Sequence, residues 1–252
     1  MLNRGTGIDT NKPYAPYTEY LHLLTSDPAV EHAYQTLLDT FYLPNWNRPL
    51  KTLLVTSTQP EEGKTTVTVM LALTAMMAGK RVLLIDADLR KPRVHEVLRV
   101  HNKIGLGNFL AGQGGVHDAI QAVEISPSPS DGIARSLSVI TSGSARTTNT
   151  ILSLGTPKLK GLLEELGQQF DFVFLDSPPA LSVTDPLFIA PMADGIIFIT
   201  GVGVVAERDA KQAKERIEQA GGKILGVVMN RFNEKLHGPG HHPYYEGYYG
   251  KA

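Results

Sequence analysis

A short polar stretch, residues 56–66, carries the residue types that hold a polyphosphate. It reads Thr-Ser-Thr-Gln-Pro-Glu-Glu-Gly-Lys-Thr-Thr and lies between a strand-like and a helix-like apolar run. A helix that begins here leaves its first backbone N–H groups unpaired and positively polarised, so the turn before it can wrap phosphate oxygens. Lys64 can reach the β- and γ-phosphates, and the Thr65 hydroxyl can ligate Mg²⁺. The stretch predicts a phosphate-binding loop, although Thr58 stands where the consensus has its first glycine.

Two apolar runs further along the chain end in aspartates. One ends in Asp86-Ala-Asp88-Leu-Arg90, and the other ends in Asp176-Ser-Pro-Pro. In an open parallel sheet the carboxyl ends of the strands form the edge that binds ligands, and carboxylate oxygens suit Mg²⁺. An Asp after a single strand is often only a helix cap. Three strand-end sites in this order instead favour a nucleotide site, with Thr65, Asp86 and Asp176 as metal ligands.

These sites require a sheet with helices between its strands. The chain alternates strand-like and helix-like segments, which is typical of a doubly wound, mostly parallel sheet flanked by helices. We therefore predict an α/β fold of the P-loop NTPase class. The predicted strands lie near residues 52–57, 82–86, 137–141, 172–176, 195–200 and 224–230.

The predicted domain covers residues 27–233, with its core at 51–233. A helix over 27–43, opened by Asp27 and Pro28 and ended by Pro44, precedes the core. Residues 1–26 read as a polar leader, 126–132 as a loop and 234–252 as a flexible tail.

Composition excludes several other classes of protein. The net charge of −1 shows no basic excess, so no nucleic-acid partner is expected. The chain has no cysteine and therefore no disulfide frame or cysteine metal site. The longest apolar run, at 195–206, is too short and too broken by glycine to cross a bilayer. These features predict a soluble cytoplasmic protein.

The order of the motifs resembles the bacterial tyrosine kinases of capsule and exopolysaccharide synthesis. That family carries a P-loop (Walker A), an apolar run ending Asp-x-Asp-x-Arg (Walker A′), a Walker B strand ending Asp-x-x-Pro, and a terminal tyrosine cluster. All four are present here. Related partitioning and division-site ATPases carry an extra lysine early in the P-loop, and Gln59 in that place argues against them.

The resemblance implies ATP with Mg²⁺ and a role for each site residue. The loop residues Glu62, Gly63, Lys64, Thr65 and Thr66 would hold the phosphates, and Asn230 and Arg231 would lie at the adenine base. Lys64, Asp86, Asp88 and Arg90 form the implied catalytic set. Asp88 occupies the position of the family's candidate base for the attacking tyrosine. For Arg90 two readings stay open. In the first it has a functional role, orienting an aspartate or neutralising developing charge; in the second it only forms a salt bridge in the following loop.

Four tyrosines stand close together in the glycine- and proline-rich tail, namely Tyr244, Tyr245, Tyr248 and Tyr249. In the resembled family such a cluster is the autophosphorylation target, although a sticky or docking tail is the ordinary alternative. The resemblance also implies a partner, the cytoplasmic segment of a transmembrane polysaccharide co-polymerase or activator, which would bring the chain to the membrane. A cognate tyrosine phosphatase is a further implied partner.

Two departures from the family pattern bear on assembly and activity. The family's amino-terminal helix carries Glu-x-x-Arg-x-x-Arg for packing into a ring, whereas His32, Gln35 and Leu38 occupy those positions here. A homo-oligomer is expected, but a ring of the family type is in doubt. Glu61 also stands where the P-loop commonly has glycine. The alternative function is a P-loop ATPase switch or adaptor of the same fold without kinase activity.

Overall fold

A computed structural model describes residues 16–43, 49–125 and 134–231 of the 252-residue chain. Its strands are β1 (Thr52–Ser57), β2 (Val82–Asp86), β3 (Ile120–Ile125), β4 (Arg135–Ile140), β5 (Phe172–Asp176), β6 (Gly195–Gly201) and β7 (Ile224–Asn230). They form one sheet in the order β3-β4-β2-β5-β1-β6-β7. Every neighbouring pair is parallel except β3 and β4. The predicted α/β fold with a mostly parallel sheet is confirmed.

The central strands are the ones that the sequence predicts best. Every residue of β1, β2 and β5 is buried, because helices cover both faces of a parallel sheet and its strands become continuous apolar runs. All six predicted strands are present. The prediction missed β3, an antiparallel edge strand with partly exposed polar residues such as Gln121 and Glu124.

Helices cover both faces of the sheet. They are α1 (Tyr17–Ser26), α2 (Pro28–Asp39), α3 (Lys64–Met77), α4 (Val94–Leu98), α5 (Leu106–Leu110), α6 (Thr148–Leu152), α7 (Pro157–Gln169), α8 (Asp185–Ile189) and α9 (Glu207–Gln219). The apolar side chains of α1 to α4 form the core on one face. Those of α5, α7, α8 and α9 form the core on the other. Helix α3 is apolar all round because it packs between the sheet and the pair α1 and α2.

The predicted helix before the core is α2, and it begins where the sequence predicts. The Asp27 side chain caps α2 by accepting hydrogen bonds from the N–H groups of Ala29 and Val30 at 3.0 and 3.4 Å. The helix ends at Asp39, and a short 3₁₀ turn follows it. The prediction of a polar leader over residues 1–26 was wrong for its last part. Residues 17–26 form α1, whose Tyr20 and Leu24 are buried in the core, because a contact with α2 and α3 cannot be read from local sequence.

Two further predictions concern segments that the structure does not describe. The predicted loop at 126–132 and the tail at 234–252, with its four tyrosines, lie outside the described residues. Among the residues that the structure describes, no helix combines the length and the apolar character that a membrane crossing requires.

Candidate active site

The three predicted sites meet at one edge of the sheet. β2, β5 and β1 are neighbours in that order and run in the same direction. Asp176 lies beside Asp86 of β2 on one side and beside Val55 of β1 on the other. The loop that follows β1 therefore lies against the aspartates that end β2 and β5.

The loop after β1 enters α3 through residues with positive φ. Glu61 has a φ of 66°, and Gly63, which precedes the first residue of α3, has a φ of 89°. Glycine adopts positive φ without strain, whereas at Glu61 a residue with a side chain takes this conformation. Lys64 begins the helix and is only 8% exposed. The lysine of the predicted phosphate site is therefore enclosed by the protein.

A buried carboxylate holds this loop in shape. The Glu62 side chain accepts the backbone N–H of Gln59 at 2.6 Å with Oε2 and that of Gly201 at 2.8 Å with Oε1. Glu62 is fully buried. Its side chain is thus occupied within the protein, and its predicted contribution to phosphate binding would come from its backbone.

Asn230 joins the end of β7 to the same loop. Its Nδ2 donates a hydrogen bond to the Glu62 carbonyl oxygen at 2.8 Å. Within the described residues its Oδ1 accepts no hydrogen bond, so this atom remains for the predicted contact with a nucleotide base. Arg231, the next residue, is exposed and has a φ of 58°.

Replacing Gly63 by alanine should lower both stability and nucleotide affinity. A Cβ atom at this position would lie 2.1 Å from Asn230 Nδ2, and a non-glycine residue with left-handed φ is strained by about 1–2 kcal/mol. Gly79→Ala is the matched control, because Gly79 follows the other end of α3 with a φ of 77° and open space around an added Cβ. We expect both variants to melt at a lower temperature and only Gly63→Ala to lose ATP affinity in calorimetry. Equal ATP affinities would show that the loop tolerates a side chain here.

The hydroxyl and carboxylates predicted to hold a metal are close together and buried. Thr65 Oγ1 donates a hydrogen bond to Asp176 Oδ2 at 2.6 Å, and Asp86 and Asp176 are almost wholly buried. Burial, with the charges of Asp176 and Asp88, raises the pKa of Asp86 well above its usual value. Burial also raises the pKa of Asp176 to about 6, although the Thr65 hydroxyl and the Lys64 ammonium act to lower it. Buried like charges of this kind are stabilised by a cation.

The carboxylate of Asp86 is fixed by the backbone that follows it. Oδ2 accepts the N–H groups of Arg93 and Val94 at 3.2 and 3.1 Å, and Oδ1 accepts that of Asp88 at 3.2 Å. Asp88 is less enclosed, and its Oδ1 accepts the N–H groups of Arg90 and Lys91 at 3.1 and 2.8 Å. The two aspartates thus differ in exposure while sharing one loop.

Arg90 forms a salt bridge, but its partner is Asp185 of α8 and not a residue of the following loop, where the sequence had placed one of the two readings. Its guanidinium donates two hydrogen bonds to the Asp185 carboxylate, from Nε at 2.8 Å and from Nη2 at 2.9 Å. Thr66 faces away from the loop, and its Oγ1 lies 3.5 Å from the Tyr20 hydroxyl of α1. The structure therefore brings together Lys64, Thr65 and the aspartates, and directs the Thr66 side chain to α1.

Comparisons with known proteins agree with this geometry. Residues 51–222 match the family model described as an AAA domain. The tyrosine-protein kinase YwqD of Bacillus subtilis is 34% identical over 217 residues, which cover 86% of this chain and 85% of that protein. The chain belongs to the bacterial tyrosine kinase family.

Two solved structures have folds similar to that of this chain. The kinase domain of the Escherichia coli tyrosine kinase ETK superposes with a TM-score of 0.73 at 29% identity, covering 87% of this chain and 81% of that one. The septum site-determining protein MinD of Pyrococcus horikoshii, complexed with Mg-ADP, gives a TM-score of 0.60 at 25% identity and covers 73% and 71% of the two chains. The greater likeness to the kinase domain agrees with the reading of Gln59 against a division-site ATPase.

Sequence reasoning missed Asp185 and the side-chain role of Glu62. Asp185 stands at the start of α8, where an acidic residue is usual beside a helix N-terminus, and nothing local indicates a partner 95 residues away. The side-chain contact of Glu62, which was predicted only as a residue of the phosphate loop, was not predicted either, and its hydrogen bond with Gly201 spans 139 residues. Both side chains act through partners that are distant in sequence, so the local pattern does not reveal these roles.

Proposed function

We propose that this kinase uses ATP and Mg²⁺ to phosphorylate the tyrosines of its own tail, Tyr244, Tyr245, Tyr248 and Tyr249. One observation carries the proposal: a buried lysine, a hydroxyl and three aspartates from three separate segments meet at one edge of the sheet. Phosphoryl transfer needs positioning and charge neutralisation more than covalent chemistry from the protein. This group of side chains supplies both.

The side chains at the edge fit a hard cation. Thr65 and Asp176, with Asp86 directly or through water, would hold Mg²⁺, which neutralises phosphate charge when bound. Within the described residues no three His, Cys, Asp or Glu side chains are grouped so as to hold a metal by themselves. That suits Mg²⁺, because this ion usually keeps several waters and binds through one or two carboxylates and the phosphates.

The acceptor tyrosine needs a group that takes its proton. The ordinary tyrosine pKa of about 10 favours a neighbouring carboxylate, and Asp88 Oδ2 accepts no hydrogen bond among the described residues. The hydroxyl oxygen of the tyrosine would form a bond to the γ-phosphorus while its proton passes to Asp88 Oδ2. The bond from that phosphorus to the bridging oxygen breaks, and its electron pair leaves with ADP.

The nucleotide base would lie near the end of β7. Asn230 Oδ1 is available to accept a hydrogen bond, for example from an adenine amino group. The exposed guanidinium of Arg231 lies beside it in sequence. Because Asn230 Nδ2 already binds the loop, base and phosphates would be recognised by one connected segment.

The residues of α2 at the family's ring-forming positions argue against a ring of the family type. Leu38, at the position of the family's second arginine, is 1% exposed and packs in the core. Gln35, at the position of the first, donates to the Asp39 carboxylate at 2.8 Å. Leu38 is therefore unavailable for contacts between subunits. The same observation favours the alternative function, a nucleotide-dependent switch or adaptor, which would bind ATP without forming phosphotyrosine.

The proposed cellular role follows from the family resemblance. The partner would be the cytoplasmic segment of a transmembrane co-polymerase or activator of capsule or exopolysaccharide assembly, and it would bring the kinase to the membrane. A cognate tyrosine phosphatase would reverse the modification. Transfer to a neighbouring chain is expected, since the resembled kinases act in this way.

Mixing two complementary variants tests transfer between chains. A Lys64→Met chain that keeps its tail should become phosphorylated when it is mixed with an active chain whose four tail tyrosines are phenylalanine. Tyr244 follows Arg231 by about a dozen residues, and a flexible chain of that length spans about 20 Å on average. β7 lies about 14 Å from β5 at ordinary strand spacing, so distance alone permits either route. Phosphotyrosine in the tail is read by mass spectrometry after incubation with Mg-ATP.

The control is the Lys64→Met chain with its four tail tyrosines also replaced by phenylalanine. We also expect the rate to rise with protein concentration and the mean oligomer mass to fall, because each phosphate adds a charge of roughly −1.5 to −2. First-order kinetics with an unlabelled Lys64→Met chain would exclude transfer between chains. An unchanged mass in light scattering would remove the dissociation step. An active enzyme without any tail phosphotyrosine would favour the switch or another substrate.

A further inference from the structure

An ion pair between a buried carboxylate and a partly exposed guanidinium joins the segments that follow two neighbouring strands. Arg90 lies in the loop after β2, and Asp185 begins α8, which follows the loop after β5. The Asp185 side chain is 0% exposed and the Arg90 side chain is 43% exposed. Two parallel hydrogen bonds in this arrangement fix orientation as well as distance. The pair therefore ties the Asp86–Arg90 loop to the Walker B side of the site.

The same loop holds the candidate base in an asymmetric way. Asp88 Oδ1 accepts two backbone N–H groups, one of which belongs to Arg90. Oδ2 is left without a donor among the described residues. One residue thus contacts Asp88 through its backbone and Asp185 through its side chain. A shift of the Arg90 backbone would move the carboxylate of Asp88.

We infer that Asp185 is a positioning residue for phosphoryl transfer, which acts through Arg90 to hold Asp88 where its free oxygen can take the tyrosine proton. The inference rests on the proposed role of Asp88 as the base. Asp185 itself would touch neither ATP nor tyrosine, because it is fully buried and both of its oxygens bind Arg90.

The chemistry of the pair explains why Asp and Arg stand at these positions. A buried carboxylate is costly unless it is paired, and a guanidinium can offer two donors to it in one plane. Lysine at position 90 would keep the charge and lose the fork, so the backbone would be held less firmly. Asparagine at position 185 would keep the shape and leave only one acceptor oxygen.

The molecule contains a matched control for this pair. Arg81 and Asp171 precede the same two strands, β2 and β5, at their amino ends, and Arg81 Nη2 lies 2.9 Å from Asp171 Oδ1. Their side chains are 65% and 38% exposed. Arg81→Lys and Asp171→Asn therefore change the same chemistry across the same strands, at the edge opposite the site.

The test compares Asp185→Asn and Arg90→Lys with Asp171→Asn and Arg81→Lys in the full-length chain. For the first two we expect phosphotyrosine formation to slow by about ten- to a hundredfold, which is the cost of a displaced catalytic group. ATP affinity in calorimetry should stay that of the wild type. The double variant Asp185→Asn/Arg90→Lys should be no slower than the worse single variant, because the two residues act as a unit. Hydrogen exchange of residues 87–93 should speed up in these variants. The control variants should keep the wild-type rate and exchange in that segment.

Asp88→Asn separates failure of this inference from failure of the proposed function. If Asp88→Asn is inactive and Asp185→Asn has the wild-type rate, Asp185 has no positioning role and the proposed base stands. If Asp185→Asn loses rate and ATP affinity together, or if Asp171→Asn loses as much rate, the pair only stabilises the fold and the inference is wrong. If Asp88→Asn forms phosphotyrosine at the wild-type rate, the proposed base and the inference both fall.

Discussion

Replacing Lys64 by methionine will weaken ATP binding and, more strongly, tail phosphorylation. The ammonium is nearly buried at the first turn of α3 and acts to lower the pKa of Asp176. Its loss removes a charge-assisted contact to phosphate, which is worth about 1.5–3 kcal/mol, or about ten- to a hundredfold in affinity. Turnover should fall further, since the same charge stabilises the transferring phosphoryl group. Calorimetry and phosphate release measure the two effects.

The matched control for this variant is Lys214→Met. Lys214 is about half exposed on α9 and pairs with Glu218 one helical turn away, a surface ion pair of small energetic effect. It should bind ATP and form phosphotyrosine like the wild type. Undiminished affinity and turnover in Lys64→Met would mean that the phosphate site lies elsewhere.

Asp88→Asn will abolish phosphotyrosine while ATP affinity is kept. An asparagine can still accept the N–H groups of Arg90 and Lys91 with its one oxygen, so the loop should keep its shape. Its amide cannot take the tyrosine proton, and loss of a general base costs about a hundred- to ten-thousandfold in rate. Phosphotyrosine in the tail is followed by mass spectrometry, and ATP binding by calorimetry.

Asp86→Asn provides the contrast within the same loop. Both oxygens of Asp86 accept backbone N–H groups, so an amide there would oppose at least one of these donors and weaken a proposed Mg²⁺ ligand. We expect this variant to need more Mg²⁺ for ATP binding, which Asp88→Asn should not. Wild-type autophosphorylation by both variants would show that the base and metal roles are misassigned.

The inferred role of Asp185 affects how substitutions in the Asp86–Arg90 loop and in α8 are interpreted. If Asp88 depends on the Arg90 pair, then substitutions in α8 will alter catalysis without contacting a substrate. The pair also links the Walker A′ and Walker B segments, so a change at one would reach the other. This is a positional coupling through one ion pair, and the Arg81 and Asp171 variants measure how much of it is specific to the site.

Local patterns were enough for the parallel strands and for the residues at their carboxyl ends. Strand-like runs ending in Asp86 and Asp176, and a loop leading into an apolar helix at Lys64, were predicted and are present. They succeed because buried parallel strands are continuous apolar runs and because ligands bind at their carboxyl ends. The cap at Asp27 was predicted for a similar reason, since its hydrogen bonds reach only two and three residues along the chain.

Long-range packing decided the rest. The burial of α1 depends on its contacts with α2 and α3, which a polar local pattern does not reveal. The strand β3 was missed because it is an antiparallel edge strand whose partly exposed residues do not form a continuous apolar run. Glu62 was predicted as a residue of the phosphate loop, and only the structure shows that its side chain ties this loop to Gly201. The partner of Arg90 could not be chosen from sequence, because 95 residues separate it from Asp185. Residue types and spacing thus determined which chemistry this chain carries, and tertiary contacts decided which side chains hold the reacting groups in place.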